Sequence, residues 1–223
     1  MNKNQMKILL LGATGRTGKH TLDNSLKSGH IVNVLVRDKN KVEITSKNLF
    51  LFEGTPTDKV ALKNAAEGCD AIISTINIVR TSDFPWSKLR TPANFLSESM
   101  KNIIEVAKEK NIQRIVICSA WGVHETKRDI PIWFRLLIDH SNIGVAYRDH
   151  ELQENLLQAS TLDWTIVRPV GLTNSDKDKK TLLTINNSTK PRLTVSRKSV
   201  AKFMVSTIEH TTYEKQSVII SNK

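Results

Sequence analysis

Leu9-Leu10-Leu11-Gly12-Ala13-Thr14-Gly15-Arg16-Thr17-Gly18-Lys19 is the stretch on which the reading of this chain turns. Residues 8–11 form an unbroken apolar run, the pattern of a strand covered on both faces of a parallel sheet. The run stops at a glycine, and a helical pattern follows over 17–28. Three glycines spaced G-x-x-G-x-x-G fill the turn between them. Gly12 lets the chain turn sharply out of the strand, Gly15 lets backbone N–H groups approach a pyrophosphate, and Gly18 lets the helix lie close on the strand. The helix then presents the positive end of its dipole to the anion. The spacing has one residue more between the first two glycines than the G-x-G-x-x-G fingerprint. A strand before and a helix after favour a dinucleotide site over an ordinary glycine turn.

The rest of the composition sets bounds on that reading. At 223 residues the chain suits a single large α/β domain. Hydrophobic residues make up 39% and aromatics only 5%, which implies an aliphatic core. No apolar run approaches the roughly 20 residues of a membrane span, so no membrane attachment is expected. The polar residues 1–7 lead straight into the first strand, which leaves no place for a signal peptide and makes the cytoplasm the expected location. Cys69 and Cys118 are too few for a disulfide framework or a metal site, and Cys118 reads as a small buried residue. A net charge of +11 raises the question of nucleic acid. The cations are dispersed, however, apart from a small cluster at Lys177, Lys179 and Lys180, and no basic helix or nucleic-acid motif is present. A lysine-rich solvated surface that draws anionic small molecules is the expectation instead.

Along the chain, further strands are expected over 31–36, 49–52, 71–76, 114–118, 165–167, 182–185 and 217–220. Helices are expected over 60–67, 93–110, 131–140, 147–160 and 199–210. Strand and helix alternate, so the fold class is α/β, a doubly wound parallel sheet of the Rossmann type in one domain. Ligands in such sheets collect at the carboxyl ends of the strands. The second strand ends in Arg37-Asp38, where the adenosine ribose would lie. An acidic residue there grips the 2′-hydroxyl of NADH, whereas a guanidinium holds the 2′-phosphate of NADPH. Arg37, with Arg16 and Lys41 nearby, favours NADPH, and Asp38 keeps NADH open. Asp58 suits an N-cap of the next helix and can also reach the adenine edge, two compatible roles. The aperiodic loop at 77–92 interleaves Arg80, Lys88 and Arg90 with Phe84 and Trp86, which suits a flat anionic substrate, or else Trp86 anchors the loop. Segments 77–92, 121–147 and 171–192 are the expected substrate side. Residues 173–191 read as a polar surface excursion, and nothing in the sequence specifies an oligomeric state.

Several pieces, in order, resemble the atypical short-chain dehydrogenases/reductases. They are Gly12-Ala13-Thr14-Gly15-Arg16-Thr17-Gly18, Val34-Leu35-Val36-Arg37-Asp38, Gly68-Cys69-Asp70-Ala71-Ile72-Ile73-Ser74, Leu162-Asp163-Trp164-Thr165-Ile166-Val167-Arg168-Pro169 and Ser196-Arg197-Lys198-Ser199-Val200-Ala201. The chain is similar in particular to the NAD(P)H-binding group that includes NmrA-like proteins and biliverdin-IXβ reductase (flavin reductase). That resemblance implies a cofactor site in which Thr14, Arg16, Thr17, Arg37, Asp58, Thr75 and Pro169 join the three glycines. It implies that Ser119 takes the serine position of the reductase active site, with the backbone of Pro169, Val170 and Gly171 along the nicotinamide. Ordinary members carry Tyr-x-x-x-Lys, whereas here Tyr147 is followed four residues later by Glu151. His150 resembles a histidine of the flavin reductase-like members, which makes His150 and Tyr147 the expected proton donors. The activity implied is NADPH-dependent reduction of a flavin, quinone or other conjugated small molecule. The alternative is an NmrA-like redox sensor that binds the dinucleotide and signals through a partner. A sugar-nucleotide epimerase is disfavoured by the missing lysine.

Overall fold

The first strand, β1 (Lys7–Leu11), shows why the chain folds as it does. Ile8 and Leu10 point to one face and Leu9 and Leu11 to the other, and all four are fully buried. Side chains alternate across a strand, so an apolar run without alternation must be covered on both sides. Burying each of these side chains contributes about 1.5–3 kcal/mol. The centre of a two-faced sheet is the one place where all four contributions are collected. The computed structural model describes residues 5–175, 180–186 and 188–223, and the expected cations Lys177 and Lys179 lie outside them.

The elements that follow β1 are α1 (Arg16–Lys27), β2 (Ile31–Val36), β3 (Leu49–Glu53), α2 (Lys59–Ala65), β4 (Ala71–Ser74) and α3 (Phe95–Glu109). Next come β5 (Arg114–Cys118), α4 (Ile132–Asp139), α5 (Ile143–Gln158), β6 (Asp163–Pro169) and β7 (Gly171–Thr173). The chain ends with β8 (Thr181–Thr184), β9 (Thr194–Ser196), α6 (Arg197–Ile208) and β10 (Gln216–Asn222). Among the described residues the main sheet runs β3-β2-β1-β4-β5-β6-β10-β8. Its pairs are parallel except β10 with β8 at the edge. Strand order reverses between β1 and β4, which opens a crevice at their carboxyl ends. On one face α1 and α6 cover the sheet through Leu22, Val200 and Met204. On the other, Leu62 of α2, Met100 and Ile103 of α3 and Leu157 of α5 do so.

The expected doubly wound parallel sheet is thus present, with an antiparallel edge strand added. Two features escaped the sequence reading. Strands β7 and β9 pair in a separate two-stranded sheet, and at three residues each they are too short to show a period. Helix α5 starts at Ile143, four residues before the expected position. Gly144 permits this start, since a side chain there would place its Cβ 2.3 Å from the Ile138 carbonyl oxygen of α4.

Candidate functional site

At the β1–α1 turn, Gly12 adopts φ +84°, a conformation L side chains rarely take. A Cβ there would lie 2.8 Å from Thr75 Oγ1 and 2.9 Å from the Thr75 carbonyl carbon. Thr75 closes the turn from β4, donating its hydroxyl to the Leu11 carbonyl at 3.0 Å. Gly18 is more confined, because its Cβ would fall 2.0 Å from the Gly12 carbonyl oxygen. Gly15 is the N-cap of α1 and offers no side-chain oxygen, and the first turn of the helix carries no acidic residue. The helix terminus is therefore left to an anion from outside. A backbone cradle with no side chain at its centre fits a dinucleotide pyrophosphate.

This turn borders a cavity of about 530 Å³, large enough for much of a cofactor. Gly12, Thr14, Gly15, Arg16, Thr17 and Thr75 line its middle. At one end stand Leu35, Val36 and Arg37 from β2, with Gly54, Thr55 and Pro56 after β3. Arg37 is exposed and, among the described residues, makes no hydrogen bond or ion pair. Asp38 is occupied differently. Its carboxylate caps the 3-10 turn over Lys39–Lys41 by accepting the Asn40 N–H at 3.0 Å, and it does not line the cavity. Asp58 acts as the cap of α2, accepting the Val60 and Ala61 N–H groups at 3.0 and 3.1 Å, and it does not line the cavity.

Arg16 lines the cavity but does not stand free beside Arg37. It makes a bidentate pair with Asp83, at 2.9 and 3.0 Å, from the loop after β4. Its guanidinium holds the Asp83 carboxyl below the usual carboxylate range. Lys41 turns to Asp38 at 3.8 Å and is absent from the cavity wall. Within the 77–92 loop, Arg80, Ser82 and Asp83 reach the cavity, whereas Phe84, Trp86, Lys88 and Arg90 do not. Trp86 acts as an anchor, donating its indole N–H to the His140 carbonyl at 2.8 Å.

The other end of the cavity is lined by Phe95, Cys118, Ser119, Leu172 and Arg197. Burial pushes the Cys118 thiol up to about 12, so it stays protonated at neutral pH. Burial also lowers Arg197, helped by the like charge of Arg16. Ser119 donates its hydroxyl to Glu154 Oε1 at 2.5 Å. Glu154 is fully buried on α5 and is gripped by Arg168 of β6, whose Nε reaches Oε1 at 3.2 Å and Nη2 reaches Oε2 at 2.6 Å. Arg168 Nη1 donates to Glu125 at 2.5 Å. Burial works against the charged forms of Glu125 and Arg168, but the opposite charges outweigh it: Glu125 ends below and Arg168 above its ordinary value.

Three expected site residues are placed elsewhere. His150 is 2% exposed, does not line the cavity, and sets Nδ1 3.2 Å from Gln153 Oε1. Its burial disfavours the imidazolium, the form a proton donor needs. Tyr147 also lies off the cavity, donating to the Trp121 carbonyl at 3.2 Å, with its phenol pushed up by burial. Pro169 is buried in β6 and its carbonyl accepts the Trp121 N–H at 3.0 Å. The Val170 and Gly171 N–H groups go to Ile220 and Leu193, so Leu172 is the residue of this segment that faces the cavity.

The sequence reading gave no role to Glu154, Arg168 or Glu125. One signal was available: His150, Gln153, Glu154 and Leu157 share a helix face by their spacing, and all four are buried. Three polar residues on an inward face imply a network.

A family of NAD(P)H-binding proteins matches residues 12–211. The chain belongs to that family. An uncharacterised sugar epimerase of Bacillus subtilis is 29% identical over 76% of this chain and 73% of its own length. An uncharacterised chloroplast protein of Arabidopsis thaliana is 24% identical over 75% of this chain, which spans 60% of that relative. Among solved structures, an anaerobilin reductase from Escherichia coli O157:H7 superposes with a TM-score of 0.79 at 21% identity, covering 97% of both chains. A short-chain dehydrogenase/reductase from Veillonella parvula, solved with NADP, gives a TM-score of 0.77 at 18% identity over 97% of this chain and 94% of that one. The family match begins at Gly12, so it contains the whole glycine turn.

Proposed function

We propose that this protein is an NADPH-dependent reductase that transfers a hydride to a flavin, quinone or other conjugated small molecule. The observation that carries the reading is the single cavity joining Arg37, the glycine turn and Ser119. Such a shape suits a dinucleotide laid across the strand ends with its reactive ring near Ser119. NADPH supplies the hydride when bound. The chain's own groups bind and orient: the α1 terminus holds the pyrophosphate, Arg37 the 2′-phosphate, and the apolar walls at Phe95 and Leu172 exclude water. The substrate side is drawn from the 77–92 loop and from Leu172, with residues of 121–147 supporting the loop through His140 and Asn142. Arg80 and Arg197 on the cavity wall support a flat anionic substrate.

Preference for NADPH follows from which end-of-strand residue is free. Asp38 is spent on its turn, while Arg37 has no partner among the described residues competing for its donors. A charge-assisted hydrogen bond is worth about 1.5–3 kcal/mol, so Arg37→Ala is expected to weaken NADPH about tenfold or more. NADH should change by less than about twofold. Fluorescence titration with both cofactors checks this, and equal losses would make Arg37 a structural residue.

Steady-state NADPH oxidation with a panel of flavin, quinone and carbonyl acceptors tests the activity. At least one conjugated acceptor is expected to accelerate oxidation well above buffer. A redox sensor is the second reading, favoured by the exposed apolar face of Ile132, Trp133 and Leu136 on α4. NADPH binding without turnover across the panel would select it.

A further inference from the structure

Ser119 has one hydroxyl hydrogen and two lone pairs, and the structure shows where the hydrogen goes. It is donated to Glu154 Oε1 at 2.5 Å. An ionised carboxylate can only accept, and a guanidinium can only donate. Glu154 is fully buried against Arg168, itself 2% exposed, so this carboxylate has no water to exchange for its protein partners. With its hydrogen committed inward, Ser119 can offer the cavity only lone pairs. At 5% exposure it is a nine-tenths buried polar side chain on the cavity wall. Cys118, Leu172 and Phe95 beside it are poor hydrogen-bond acceptors. Of the nearby backbone, the Pro169 carbonyl and the Val170 and Gly171 N–H groups are already engaged.

We propose that Ser119 receives the carboxamide N–H of the nicotinamide as a hydrogen-bond acceptor, and that Glu154, held by Arg168, is the positioning residue that makes it one. This inference rests on the cavity being the cofactor site. It does not require that any substrate be reduced. Ser119 thereby fixes the rotation of the nicotinamide ring, and Glu154 acts on the cofactor only through Ser119.

The test compares the affinities of NADP⁺ and its 3-acetylpyridine analogue, in which a methyl ketone replaces the amide and the donor is lost. The readout is equilibrium binding by calorimetry, so no turnover is involved. Wild-type protein is expected to favour NADP⁺ about fivefold, the factor for one neutral hydrogen bond. Ser119→Ala should bring the ratio to about one. Glu154→Gln makes a sharper prediction. Arg168 donates to both positions, but its Nη2 contact at Oε2 is the shorter at 2.6 Å against 3.2 Å for Nε at Oε1, so the amide oxygen takes the Oε2 place and the NH₂ group faces Ser119 Oγ and donates to it. The Ser119 hydroxyl is then released toward the cavity as a donor, and the acetyl analogue should bind at least as well as NADP⁺. A structural role for Glu154 would weaken both ligands alike and leave their ratio unchanged. An unchanged ratio in Glu154→Gln, or a wild type that does not discriminate, overturns the proposal. If Glu154→Gln does not fold, the Ser119→Ala ratio decides alone. Absence of turnover with every acceptor would instead overturn only the reductase reading.

Discussion

Arg168→Met is expected to lower stability by about 3–5 kcal/mol, because it removes the guanidinium paired with the fully buried carboxylate of Glu154 and leaves only His124 Nε2, 3.8 Å away. For a chain of this size about 1 kcal/mol corresponds to roughly 2–4 °C, so thermal unfolding should drop by about 6–20 °C. Removing both charges is a different case. A paired Arg168→Met, Glu154→Leu variant should recover most of the loss, since the cost comes from the orphaned charge more than from the missing bond. The Arg16–Asp83 pair is the internal control. It is similar in geometry but its side chains are 58% and 79% exposed, so losing it should cost no more than about 1 kcal/mol. Calorimetric melting of the three variants checks the ranking. A loss below about 1 kcal/mol for Arg168→Met would mean that water or His124 compensates the Glu154 carboxylate.

The glycine turn yields a second large effect, and it divides into two opposite outcomes. Gly15→Val should weaken NADPH at least ~100-fold, equivalent to about 2.7 kcal/mol, with little change in melting temperature. Gly15 sits at φ −74° and ψ 164°, where valine is comfortable, and its Cβ would meet only the Gly12 carbonyl oxygen at 3.2 Å. The branched side chain would instead fill the space where the pyrophosphate meets the helix terminus. Gly18→Ala should do the reverse at the level of the fold. Its Cβ would overlap the Gly12 carbonyl, at 2.0 Å from oxygen and 2.7 Å from carbon, and backbone cannot swing aside as a side chain can. Such overpacking costs about 1–3 kcal/mol or more, and binding fails because the turn itself is displaced. Binding titrations paired with circular dichroism melts separate the two. Intact NADPH affinity in Gly15→Val would reduce the turn to a plain connection.

What could be read from the sequence alone rests on interactions between neighbours in the chain. Four consecutive aliphatics dictate a strand covered on both faces, and the glycines after it dictate a turn that no larger residue could make. Arg37 follows directly from β2, so once the strand is known its end is known too. Element identity was legible for the same reason, while β7 and β9, three residues each and paired across more than 20 positions of the chain, were not.

The partners of the charged residues were decided by the tertiary structure. Arg16 and Asp83 are 67 residues apart, and nothing local says that a cation expected on phosphate would meet a carboxylate from the loop after β4. Four of the buried residues of α5 share one face by their spacing, but a helix has no inside until something packs on it. The approach of α3 turned that face inward, burying His150 away from the cavity and placing Glu154 between Ser119 and Arg168. Local chemistry specifies backbone shape. Which buried charge faces which is settled only when β5, α5 and β6 come together, because burial is what makes an unpaired charge too costly to leave.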